Sequence, residues 1–186
     1  MGVRFLGIIM AALVFAPIAS WADQQVVVTT ASDVLDGDIS SVAGLNAFPG
    51  ADGMISLWEA FFAVNNTPGT ELITITFDGG YAIAISFWGI PLPIITRGNV
   101  VIDAAGYDVQ IYGNNAFTGI QFATVSGIQV RGLRFDGCVT GLNLSHVTDC
   151  VVTGCHFGLS VLNLTGMILE NSQGVVLGGA AAHERN

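Results

Sequence analysis

The sequence predicts an all-β fold, a parallel solenoid of short coils with an N-terminal capping α-helix. Three observations carry that prediction. Thr118-Gly119-Ile120-Gln121-Phe122 recurs, at a spacing of 22, as Thr140-Gly141-Leu142-Asn143-Leu144. At the same spacing Ile128-Gln129-Val130-Arg131-Gly132-Leu133-Arg134-Phe135 recurs as Cys150-Val151-Val152-Thr153-Gly154-Cys155-His156-Phe157, apolar on apolar and Gly132 on Gly154. A unit this short cannot bury its own apolar face, so it must stack on its neighbours. Finally, a single segment, residues 54–66, has a strong helical pattern, and it precedes the strand-rich remainder.

Taken in order, residues 1–22 read as a secretory signal peptide. Arg4 supplies the positive charge, and residues 5–16 form an apolar run too short to span a bilayer comfortably. Ser20-Trp21-Ala22 places small residues where cleavage requires them, so the mature chain is expected to begin at Asp23 and to be secreted or held at the cell surface. An uncleaved N-terminal anchor is the alternative. The chain contains no Lys, and its five Arg face fourteen acidic residues; loss of Arg4 takes the net charge from −9 to −10. Such a surface repels phosphate backbones, which argues against nucleic acid as a partner. Polyanionic sugars would need a bridging divalent cation, whereas neutral glycans and protein partners meet no such barrier.

Residues 23–70 are expected to form an opening strand, an acidic turn and the capping helix. The strand is Gln24-Gln25-Val26-Val27-Val28-Thr29-Thr30, rich in β-branched residues. In the turn, Asp33, Asp36 and Asp38 are weak candidates for calcium, without the regular acidic alternation and downstream Glu of a helix-loop-helix calcium loop. The helix carries the Ser56-Leu57-Trp58-Glu59 spacing of a capping box. Leu57, Ala60, Phe61 and Val64 share one face, with Trp58 and Phe62 beside them, so the helix must be covered on most sides. Asn65-Asn66-Thr67-Pro68-Gly69 ends it.

Residues 71–186 are expected to be β-helix coils. Strands are predicted at residues 72–77, 99–103 and 109–112, ahead of the repeated units. The apolar run of residues 81–95 contains Pro91 and Pro93, while Ile83, Ile85 and Phe87 alternate at strand period, so it reads as a buried strand and turn rather than a membrane span. Asn163-Leu164 echoes Asn143-Leu144 at a spacing of 20, which suggests that one turn of the last unit has shortened. The residues after Gly179 are short and polar and do not resemble a cap, so further C-terminal coils or a partner are expected over that end. Cys150 and Cys155 take the core positions of Ile128 and Leu133, so the three cysteines are expected to stay free rather than form a disulfide or a metal site.

Ile55-Ser56-Leu57-Trp58-Glu59-Ala60, the polar stop that follows it, and Ile73-Thr74-Ile75-Thr76-Phe77 resemble the CSLREA-type N-terminal region of secreted proteins in the pectin-lyase-like superfamily. Asn99-Val100-Val101-Ile102-Asp103 resembles the first coil of those proteins. Ile55 stands where the motif has Cys, and Trp58 where it has Arg. The resemblance implies a right-handed parallel β-helix and a secreted location. It implies no particular activity, because such folds carry many functions.

Function on a solenoid lies on outward strand faces and turns. Alternation places Ile128, Val130, Leu133 and Phe135 inward and Gln129, Arg131, Arg134 and Asp136 outward. The repeat stacks Arg134 on His156. A polysaccharide lyase would need carboxylates gathering Ca²⁺ and a base, for which Arg134 with Asp136 is the nearest beginning. A glycoside hydrolase would need two carboxylates about 5–10 Å apart, and Asp103 with Asp136 is the one tempting pair. Neither constellation is complete. The sequence therefore favours a non-enzymatic surface scaffold, binding a polysaccharide or a surface protein without a cofactor, over a calcium-dependent lyase or a glycoside hydrolase. Asn65, Asn143 and Asn163 head N-x-S/T sequons, and Asn143 and Asn163 are expected to share an amide ladder between coils.

Overall fold

A computed structural model describes residues 23–85 and 91–179. The predicted signal peptide, Phe87 and the segment after Gly179 lie outside the described residues. In chain order the elements are β1 (Gln24–Val28), α1 (Val42–Ala47), α2 (Leu57–Asn66), β2 (Ile73–Phe77), β3 (Ala82–Ala84), β4 (Val100–Asp103) and β5 (Val109–Tyr112). There follow β6 (Ile120–Ala123), β7 (Ser126–Arg131), β8 (Leu133–Asp136), β9 (Thr140–Ser145), β10 (Thr148–Thr153), β11 (His156–Phe157), β12 (Thr165–Glu170) and β13 (Gln173–Leu177). The strands form three sheets, ordered β1-β2-β4-β7-β10-β13, β11-β8-β5-β3 and β12-β9-β6, in which every pairing is parallel. The result is a parallel β-solenoid of about four turns.

The predicted register is present where the repeat lies: Cys150 pairs with Ile128, Leu142 with Ile120 and His156 with Arg134, each at the repeat spacing. Other coils are longer. Ile128 pairs with Val100, and Leu133 with Val109, both across wider intervals than the repeat. The last coil corrects the predicted shortening, since Met167 pairs with Leu142 and the interval has lengthened. Ile168, not Asn163, is the partner of Asn143, so the amide ladder does not form. The Asn-Leu echo was a coincidence of composition, and the added length lies in the loop of residues 158–164 that follows β11.

Inside the coils, alternate side chains stack into one apolar core running from Val26 to Cys155. Each fully buried aliphatic contributes about 1.5–3 kcal/mol before conformational entropy is subtracted. Phe135 and Phe157 stack with ring centroids 5.2 Å apart. Gly141 makes room for them: a Cβ there would stand 2.8 Å from the Phe157 ring and 2.6 Å from the Gly166 carbonyl. At the corner between β7 and β8, Gly132 adopts a φ of 69°, the left-handed region that an L side chain enters at a cost.

The helix α2 begins at Leu57 rather than at Met54, where its apolar pattern starts, because Ser56 caps it with extended backbone. The predicted capping box is complete. The Ser56 hydroxyl accepts from the Glu59 amide at 3.2 Å, and Glu59 Oε2 accepts from the Ser56 amide at 2.8 Å. Glu59 Oε1 also accepts from the amides of Asp36 and Gly37, at 2.9 and 2.8 Å, so one buried carboxylate organises both the helix start and the acidic loop. Its neighbour α1 escaped the sequence reading: so short a helix, with a glycine inside it, carries too little periodicity to show. Both helices pack on β1, the edge strand of the largest sheet, and Leu57, Trp58, Phe61 and Val64 continue the solenoid core.

Candidate functional site

Arg134 and Asp136 lie on β8 and are in contact. Arg134 Nη1 donates to both oxygens of Asp108, at 2.8 and 3.0 Å. Its Nη2 donates to Asp136 Oδ2 at 3.2 Å and to the Ser160 hydroxyl at 2.7 Å. The hydrogen bond to Asp108 leads the effects that hold this guanidinium still more firmly protonated.

Asp136 departs from the prediction. Alternation placed it outward, yet it is fully buried, because residues 158–164 fold across it. Oδ2 accepts from Gln110 Nε2 at 2.8 Å as well as from Arg134. Oδ1 accepts from the Ser160 amide at 2.9 Å and the Val161 amide at 3.4 Å. Each oxygen thus has two donors, and the carboxylate faces no solvent. That geometry suits a buried anchor for a loop. Neither a general base nor a calcium ligand could work from it, since either must present a free lone pair to its target. Asp108, Gln110 and Ser160 went unnoticed in the sequence, because their coils are offset from that of Arg134 by more than the interval the repeat advertises.

His156 sits on Arg134 in the same sheet, as the repeat predicted, and is exposed. Asp103 closes β4 in a different sheet from Asp136, so the suggested carboxylate pair is not assembled on one face. Its neighbour in register is Arg131, with Nη1 to Oδ2 at 3.7 Å, and its Oδ1 accepts from the Ala105 amide at 2.9 Å. Around this loose, half-exposed pair runs a groove of about 460 Å³, lined also by Tyr107 and Thr153 and floored at Gly132 and Gly154. A second groove of about 430 Å³ crosses the turns that lead into the largest sheet. Thr70, Thr96, Thr124, Ser126 and Thr148 present exposed hydroxyls along it, drawn from successive coils.

In the acidic loop, Asp36 Oδ2 accepts from the Ala51 amide at 2.8 Å and Asp38 Oδ1 from the Ser40 amide at 3.0 Å, while Asp33 is exposed. The bonds from Ser40 hold the Asp38 carboxyl below its usual 3.8. Among the described residues no three His, Cys, Asp or Glu side chains gather where they could hold a metal ion. Two sequon amides are already engaged. Asn65 bonds the Ile94 carbonyl and Thr96 amide, and Asn163 bonds the Phe135 carbonyl and Cys138 amide. Cys138, Cys150 and Cys155 are buried and form no disulfide with one another, and burial pushes their thiols up to about 11, 12 and 11. Among the described residues no helix is long and apolar enough to cross a membrane.

Comparison with protein-family models, with curated proteins and with solved structures gives no match for this chain. Its fold is that of a parallel β-solenoid, and its chemistry has to be argued from the two grooves and the buried clamp.

Proposed function

We propose that this chain is a secreted or cell-surface β-helix scaffold that binds glycans or protein partners along its outer faces without catalysis. The observation that carries this reading is the state of Asp136, the carboxylate shared by both incomplete catalytic constellations: it is buried, with both oxygens occupied by a loop and by Gln110 and Arg134. Two exposed features are suited to sugars. Tyr107 beside Asp103 and Arg131 offers an aromatic face with a donor and an acceptor next to it, and the row of Thr and Ser hydroxyls can exchange hydrogen bonds with a polyol. The likeness of residues 55–60 and 73–77 to a CSLREA-type region of the pectin-lyase-like superfamily, and the signal-like residues 1–22, support the secreted location.

The purified chain is titrated calorimetrically with neutral oligosaccharides, polygalacturonate and alginate, with and without Ca²⁺, while reducing ends and unsaturated products are assayed in parallel. Saturable binding with no new ends is the expected result. Turnover that requires Ca²⁺ and disappears in Arg134→Ala would replace the scaffold with a polysaccharide lyase.

A further inference from the structure

The outer face of the largest sheet carries a polar row that runs along the solenoid axis. Thr76 pairs with Asp103, Asp103 with Arg131 and Arg131 with Thr153, so four successive coils place one hydrogen-bonding side chain each on the same line. The row has two ends. Val27 on β1 pairs with Thr76, and Gly178, which has no side chain to offer, follows Leu177, the partner of Val152. Strand pairing fixes the interval from one coil to the next at about 4.8 Å. Asp103 and Arg131 keep bonding capacity in the middle of the row, because 3.7 Å between Oδ2 and Nη1 is too long for a hydrogen bond. In the adjoining row Val101 and Val151 stand on either side of Gln129. Tyr107, 46% exposed, lines the groove that Asp103, Arg131, Val151 and Thr153 share.

We propose that a neutral, β-1,4-linked polysaccharide lies along this row, one sugar unit to each coil. The inference rests on the glycan-binding reading of the chain and names the glycan. Spacing selects the linkage. An extended β-1,4-linked pyranose chain advances at each unit by nearly the interval between coils, so its hydroxyls keep step with Thr76, Asp103, Arg131 and Thr153. An α-1,4-linked chain curls and leaves the line after a unit or two. Charge selects against acidic sugars, since Asp103 stands within the row and the chain carries a net charge of −9. The amphipathic character of a pyranose ring matches the surface on both counts. Its C–H groups meet Tyr107 and Val151, and its hydroxyls exchange hydrogen bonds with the polar row.

Calorimetric titration of the full chain with β-1,4-linked and α-1,4-linked gluco-oligosaccharides of one to six units tests this, with reducing ends assayed alongside. In the β-linked series affinity should rise at least about threefold with each added unit up to four, the equivalent of one modest hydrogen bond per coil, and then level off. The α-linked series should gain nothing beyond two units. Thr153→Val, which removes one hydroxyl and keeps the branched shape, should weaken the four-unit β-linked ligand about threefold and leave glucose itself unaffected, with the melting curve in place. Affinity that ignores length, equal binding of the two series, or binding confined to polygalacturonate or alginate overturns the proposal and leaves the scaffold reading standing. Failure of both series to bind overturns it as well. New reducing ends strike the non-catalytic reading itself.

Discussion

Phe61 and Leu177 each stand at a limit of the solenoid interior, one on the helix that packs against the first coil and one on the last described strand. The first is 0% exposed and the second 50%. At the N-terminal limit α1 and α2 cover the apolar side chains, and Glu59 ties helix and loop together with four hydrogen bonds. At the other limit the same alternation of apolar residues continues with nothing laid over it among the described residues. Apolar side chains therefore become core at one end and stay half-exposed at the other, and what differs among the described residues is the presence of a covering element.

Truncation at the two limits should expose that difference most directly. Phe61→Ala removes a ring from a fully covered site and is expected to cost about 3–5 kcal/mol. Leu177→Ala should cost less than about 1 kcal/mol, since half of that side chain already faces water. Urea denaturation of both variants reads the contrast, and equal losses would mean that Leu177 is covered in solution.

The clamp is the second point of contrast. Asp136→Ala leaves the Gln110 amide, the Arg134 guanidinium and two loop amides without their acceptor, so a loss of about 3–5 kcal/mol is expected. Hydrogen exchange should rise first at Ser160 and Val161. If exchange in residues 158–164 does not change, Asp136 is not what holds the loop. Ser56→Ala, which removes one half of the capping box, should cost about 1 kcal/mol.

The three thiols give the pH dependence. Their folded pKa values of about 11–12 lie above the ordinary 9.0, because burial disfavours the thiolate. A raised value means the neutral thiol is the form favoured by folding. That contribution is complete below the ordinary value and is lost as pH rises through about 11 to 12. Thermal unfolding should therefore show falling stability on the alkaline side, and a thiol reagent at neutral pH should label the protein only as fast as it opens. Rapid labelling of the native chain would place at least one sulfur at the surface.

Much of this was legible from residues alone, for reasons that differ from place to place. The repeat of Ile128 and Cys150 gave the register of β7 and β10 directly, because a strand pairing imposes the same inward side chain on each coil. Ser56 and Glu59 gave the capping box, because its chemistry is confined to four consecutive positions. The clamp was not legible. Asp136 meets Gln110 at a spacing of 26 and Ser160 at 24, and such unequal coil lengths leave no period to read. Alternation also failed there for a physical reason: it assigns a side chain to a sheet face, and only the loop after β11 turns that outer face into an interior. The last coil misled for a related cause, since an Asn-Leu pair in a loop carries no register, whereas Thr140 to Thr165 does.

The smallest expected effect on stability falls in the groove beside Asp103. Arg131 and Asp103 are 3.7 Å apart, and their side chains are 45% and 30% exposed, so water and salt screen their attraction. Arg131→Ala should change the unfolding free energy by less than about 0.5 kcal/mol, in sharp contrast to the buried Asp136 cluster just beyond the next corner. A side chain that contributes so little to the fold is free to serve a ligand. If the groove binds glycans, the same substitution, and Tyr107→Ala with it, should weaken oligosaccharide binding in calorimetry while leaving the melting curve in place. Binding that survives both changes would move the ligand to the hydroxyl-lined groove, where Thr124 and Thr148 become the side chains to remove.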